Sequence, residues 1–149
     1  MTSKALVDDF IAQKILAIVG VSRNAGKFGN GIFRELTTKG YTLFPIHPEA
    51  AVLEGVPAYK SFSDLPEKVG GVIVNIKPQQ AESVVRAARA AGITRIWLQQ
   101  GSASQAAVDF CEHNGISLVH GECILMYAVG TSIHGFHRWL WKVIGKAPG

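Results

Sequence analysis

The chain has 149 residues, 48% of them hydrophobic, and its fifteen Lys and Arg against eleven Asp and Glu leave a formal charge of +4. That length suits one domain with a sizeable core, and the scattered basic residues exclude the Lys/Arg runs of nucleic-acid-binding arms while favouring a small anionic ligand. Without a secretory signal or an apolar run of membrane-spanning length, Cys111 and Cys123 read as free thiols of a cytoplasmic protein that binds no membrane.

In chain order, Ser3 is placed to cap a short helix with Leu6, Val7, Phe10 and Ile11 on one face, expected to cover one end of a sheet. Ile15 to Val19 is an unbroken apolar run ended by Gly20, as for a central parallel strand covered on both faces. From Phe28 to Leu36 the spacing turns helical, with Ile32, Phe33 and Leu36 on one face and Gly40 after the end. Between them lies a loop carrying Gly20, Val21, Ser22, Arg23, Gly26, Lys27 and Gly29. A helix start leaves backbone N–H groups free and favours an anion, and glycines let a phosphate approach the main chain. The loop is therefore a phosphate site in outline, the plainer alternative being a turn that only packs a helix closely on a sheet.

Two familiar phosphate loops nearly fit. Read as a P-loop, Gly20 to Lys27 has one residue too many between the glycines, and Phe28 replaces the magnesium-binding Ser or Thr. Read as a dinucleotide fingerprint, Gly20-Val21-Ser22 lacks the second glycine, and Phe44-Pro45-Ile46-His47-Pro48 brings no acid for a ribose diol.

Tyr41 to Ile46 is the second strand, with Pro45 and Pro48 stiffening the turn that leaves it. Val56 to Tyr59 is expected as a short edge strand, and Ser63 as the cap of a helical turn beginning at Asp64. Gly71 to Ile76 is a further strand, followed by Lys77 and Pro78 opening a helix whose Ala81, Val84, Val85 and Ala88 share a face. Arg95 to Leu98 is the next strand, leading into Gln99-Gln100-Gly101-Ser102, and Ser104 caps a helix lined by Ala107, Val108 and Cys111. Ile116 to Val119 is the last strand, before Gly121-Glu122-Cys123. This alternation predicts an α/β fold: one Rossmann-like, doubly wound parallel sheet with helices on both faces and ligand chemistry at the strands' C-terminal ends. Phe136, Trp139, Leu140, Val143 and Ile144 give an amphipathic helix about 135–145, expected to pack on its own domain or on a twin subunit in a homodimer.

No catalytic set emerges. His120-Gly121-Glu122 is half of a zinc-deaminase signature without its cysteine half, His134 and His137 lack an assured third ligand, and no G-x-S-x-G is present.

Gly20-Val21-Ser22 through Lys27-Phe28-Gly29, Pro45-Ile46-His47-Pro48, Lys77-Pro78 and Trp97-Leu98-Gln99-Gln100-Gly101 together resemble the small stand-alone CoA-binding proteins, which are similar to the N-terminal domain of the succinyl-CoA synthetase alpha subunit. The resemblance covers roughly residues 14 to 127. It implies CoA along the C-terminal edge of the sheet: pyrophosphate on Ser22 to Gly29, adenosine near Pro45 to Pro48, pantetheine beside Ile76, Lys77 and Pro78, with Arg23 or Lys27 for the 3′-phosphate. Cys123, after the last strand, is then either an inert buried thiol or a partner for the CoA thiol in a mixed disulfide. The phosphohistidine domain of such ligases has no counterpart here. The reading is accordingly a CoA- or acyl-CoA-binding module. The alternatives are an NAD(P)-binding protein, an accessory subunit of a CoA ligase or transferase acting with a partner chain, and an interaction protein with a vestigial pocket.

Overall fold

A computed structural model of the protein describes residues 3–129; the aromatic-rich stretch 135–145, with His134 and His137, lies outside them. Ser3 accepts the Leu6 N–H and starts α1 (Lys4–Ile11), and the apolar run that follows is β1 (Ile15–Val19). Next come α2 (Phe28–Thr38), β2 (Thr42–Ile46), and a small hairpin of β3 (Val52–Leu53) and β4 (Val56–Pro57). A 3₁₀ turn at Phe62–Asp64 precedes β5 (Gly71–Val74), and Pro78, without an N–H to lose, opens α3 (Pro78–Ala90). The chain continues through β6 (Arg95–Gln99), α4 (Gln105–His113) capped by Ser104, β7 (Ser117–Glu122) and α5 (Leu125–Ala128).

Five strands form one parallel sheet in the order β2-β1-β5-β6-β7. The fold is Rossmann-like. One core lies beneath α1, α2 and α5, with Leu16, Ile18, Ile73 and Trp97 from the sheet; the other lies beneath α3 and α4, with Ala17, Val72, Val74, Ile96 and Leu98. Strand order reverses between β1 and β5, because the chain leaves β1 for β2 on one side and returns to β5 on the other. Loops leaving those two strand ends diverge, and a crevice opens there. The register pairs Val19 with Val74, which sets Gly20 beside Asn75.

The connection from β2 to β5 differs from the expected edge strand and helical turn. Glu54 and Gly55 both adopt positive φ, 50° and 77°, the conformation of a tight hairpin turn, so Val56 folds back on Leu53 and leaves the main sheet. Tyr59 meets the sheet only at a parallel bridge to Ile46. The turn starts at Phe62 instead of Asp64, placing Ser63 inside it, and it stops because Leu65 precedes Pro66 and takes an extended ψ of 141°. β7 runs past Val119 to Glu122 through a register shift opposite Leu98 and Gln99. Rather than an end of the sheet, α1 covers one face of it: Phe10 packs 5.4 Å from the Trp97 ring, and the Asp9 carboxylate accepts from Arg95 Nε at 2.7 Å. Among the described residues no helix is long and apolar enough to cross a membrane.

Gly20 has a φ of +121°, and a Cβ there would lie 2.1 Å from the Asn75 carbonyl oxygen. Gly20→Ala should therefore destabilise the fold by about 2–5 kcal/mol, combining backbone strain with overpacking. Urea denaturation checks this; an unchanged midpoint would mean that the strand ends can separate without cost.

Candidate functional site

The loop between β1 and α2 is held by side chains from three directions. Asn30, only 1% exposed, accepts the Ser22 N–H at 2.8 Å and donates to the Ser22 carbonyl at 2.7 Å and to Glu54 Oε2 at 2.8 Å. Arg34 donates to the same Glu54 oxygen at 3.0 Å and to the Ala25 carbonyl at 3.0 Å, tying hairpin, helix and loop together. Within the loop, Ser22 Oγ accepts the Asn24 N–H and Asn24 Oδ1 accepts the Gly26 N–H. Donors at 22, 24 and 26 are thus engaged internally. The Ser22 hydroxyl keeps its own proton for another acceptor, and no side chain caps the start of α2 at Lys27.

Beside the loop lies a cleft of about 1000 Å³ on the α3 face of the sheet. Its floor is the ends of β1 and β2 at Val19 and Ile46, one wall is Lys60 to Ser63, and the other is α3 from Gln79 together with Ala91 at its C-terminal cap. Phe62, Ile76, Val84 and Ala87 make it largely apolar, with Gln80 and Ser83 as polar groups on the helix. No Asp or Glu lines it, and Lys60 is its one Lys or Arg among the described residues. His47 is pinned at its mouth: Nδ1 accepts the N–H groups of Glu49 and Ala50 at 3.1 and 2.9 Å, so the neutral ring carries its proton on Nε2.

Of the residues singled out from sequence, the cleft brings together Gly20, Val21, Ser22, His47, Pro48 and Ile76. Arg23 opens instead on a smaller depression of about 510 Å³ between the loop and the hairpin, which shares Ser22 with the cleft. Lys27 is exposed at the start of α2, Phe28 packs partly into the core under that helix, and Gly29 is buried against Gly20. Pro45 is buried within β2, and Lys77 and Pro78 are exposed where α3 begins. Gln100 is exposed in the turn after β6, its N–H donating to the Glu122 carbonyl at 3.1 Å. Its neighbour Gln99 is the buried one, and its side-chain oxygen accepts the Ile124 N–H at 3.0 Å. Sequence reading missed Asn30, Glu54, Lys60 and Ser102, whose Oγ accepts the Ile76 N–H at 3.0 Å. Two local signals pointed their way: a polar Asn30 on the stripe that holds Phe33, and the Glu54-Gly55 pair between short apolar runs.

Residues 14–128, from the start of β1 to the end of α5, match the CoA binding domain family. The chain belongs to that family. It is 32% identical to a conserved hypothetical protein from Pyrococcus furiosus, with a TM-score of 0.72 over 76% of this chain and 97% of the other. A hypothetical protein from Pyrococcus horikoshii OT3 shares the fold at 24% identity, with a TM-score of 0.77 over 84% of this chain and 88% of that one. Over 123 residues, 76% of this chain, it is 26% identical to an ADP-forming acetate–CoA ligase of Archaeoglobus fulgidus, of which it spans 18%.

In this CoA-binding domain both cysteines are buried away from the cleft. Cys123 belongs to the core under α1, α2 and α5, on the opposite face of the sheet, and burial raises its thiol pKa against the opposing hydrogen bonds of Gln99, Leu125 and Met126. Burial, with help from Glu112, pushes the Cys111 thiol up to about 11. The structure thus sides with the inert-thiol reading of Cys123. Among the described residues no three His, Cys, Asp or Glu side chains gather as a metal site.

Two outcomes follow. Native protein at pH 8 should react slowly with a thiol reagent at both cysteines and quickly once denatured; an unfolded Cys111 ionises near 9.0 and the folded one near 11, so its contribution to stability is lost as pH rises through that window. Asn30→Ala should cost about 1–3 kcal/mol, the penalty for leaving the Ser22 groups unpaired, read as a lower urea midpoint.

Proposed function

We propose that this protein binds CoA or an acyl-CoA in the cleft at the switch point of the sheet. The observation that carries the reading is a coincidence of place: the family match spans the very segments that build a large, acid-free cleft beside a glycine-bearing loop. The pyrophosphate belongs at the Ser22 hydroxyl and the uncapped start of α2, where the dipole and the Lys27 charge favour an anion. Adenosine belongs beside His47 and Pro48, and pantetheine passes Ile76, Lys77 and Pro78 toward Gln100. Gly20, Val21, Phe28, Gly29 and Pro45 act by shaping the backbone, and Arg23 adds charge at the loop's outer side.

NAD is disfavoured by the acids. No carboxylate lines the cleft to hold a ribose diol, and Glu54, the acid that braces the loop, is engaged by Asn30 and Arg34. The protein acts as a binding module. A second reading, an accessory subunit working with a partner chain, draws on the 18% share of a CoA ligase that this chain spans; turnover in a coupled assay only when a partner is added would favour it. The apolar spacing from Phe136 to Ile144 supports self-association as a homodimer, and the two free cysteines fit a reducing cytoplasm.

Thermal shift tests the ligand. Saturating CoA at a hundred times its dissociation constant should stabilise the fold by about 2.7 kcal/mol, with dephospho-CoA giving a smaller shift and NAD the smallest at equal concentration. Lys27→Ala should weaken CoA binding by about 1.5–3 kcal/mol. A larger shift with NAD or NADP than with CoA would overturn the assignment.

A further inference from the structure

Lys60 was not among the residues that the sequence singled out, and its position in the fold gives it a role. It follows Tyr59, which is fastened to β2 by its N–H on the Pro45 carbonyl at 2.9 Å and by its carbonyl accepting the His47 N–H at 2.8 Å. It precedes Phe62 by two residues, and that ring is buried in the core under α3 and α4. The segment is anchored on both sides. An exposed lysine is held at the wall of the cleft.

Its charge has no competitor inside the cleft. Arg34 is committed to Glu54 and Ala25, and Arg86 to Glu82 and the face of Phe110. Arg23 opens on the smaller depression, and Lys27 lines neither cavity. Lys60 itself forms no ion pair or hydrogen bond among the described residues. The neighbouring hydroxyls are less available than they look. Ser61 donates to the Asp64 carboxylate at 2.9 Å and stands 2.9 Å from Ser63 Oγ, so Ser63 donates to Ser61 and both protons are used. Asp64, which takes the Ser61 proton, is not part of the cleft lining. An anionic group seated here depends on the ammonium of Lys60.

We propose that Lys60 is the specificity-determining residue that selects a ligand with a terminal phosphate monoester, namely the 3′-phosphate of CoA, an inference that rests on the CoA reading above. A phosphate monoester carries nearly two negative charges at neutral pH where dephospho-CoA has only a hydroxyl, and a charge-assisted contact to a lysine rewards that difference. The pyrophosphate at Ser22 is common to both ligands and discriminates nothing.

Calorimetric titration of CoA and dephospho-CoA against wild type, Lys60→Ala, Lys60→Arg and Arg23→Ala separates the possibilities, with melting temperature as the control for folding. Wild type should prefer CoA by roughly tenfold or more, the lower end expected for a hydrogen bond to a charged group. Lys60→Ala should bring the two ligands to near equality by weakening CoA alone, Lys60→Arg should restore most of the preference, and Arg23→Ala should keep it. A preference that survives in Lys60→Ala, or that disappears in Arg23→Ala, overturns the assignment. Equal binding of both ligands by wild type also overturns it while leaving the CoA reading intact. Binding of neither ligand by wild type removes the CoA reading and this inference with it.

Discussion

The site depends on how closely three backbone segments meet at the end of β1. Gly20 lies against the Asn75 carbonyl, and the first turn of α2 comes down on Gly20 so tightly that a Cβ on Gly29 would sit 2.0 Å from the Gly20 oxygen. Two glycines thus bring strand end, helix start and the neighbouring strand's exit to one point. With that junction closed, Ser22 lines the crevice that the strand order opens; with a side chain at either glycine, the loop would have to lift from the sheet.

What makes the crevice deep is an absence in the connection from β2 to β5. A doubly wound sheet ordinarily carries a helix at such a crossover, but here the chain makes a two-strand hairpin and a single 3₁₀ turn. The hairpin goes to the loop, where Glu54 joins Asn30 and Arg34; the turn goes to the other face, where Phe62 fills only part of the space beside α3. The α3 flank is left open along Ser83, Val84 and Ala87 for about 20 Å, the length of its thirteen residues at 1.5 Å each. A long ligand with an anionic end and an apolar body matches that shape.

Much of this was legible because it is written locally. The apolar run Ile15–Val19, Pro78 opening a helix, and Ser3 and Ser104 as caps each act through neighbours within four residues, and each element stands where its signal put it. The brace was hidden because Glu54 lies 20 residues or more from both Arg34 and Asn30 and meets them only once the hairpin has folded back. Lys60 was hidden for the same reason: its importance comes from a wall that exists only because no helix covers it. The burial of Gln99 was not legible by alternation, since a strand covered on both faces buries successive residues alike. The turn at Phe62 was misplaced by the pull of Ser63 as a cap, when the restriction that Pro66 puts on Leu65 had already limited how far it could run.

Placement of the ligand on the α3 face is the central claim, and amide chemical-shift mapping reads it residue by residue. On titration with CoA, the amides of residues 20–30, of His47, of 60–63 and of 76–84 should move together and saturate at one dissociation constant, while those of α1 and α5 on the opposite face stay still. Shifts concentrated in α1 and α5, or scattered without saturation, would contradict the account.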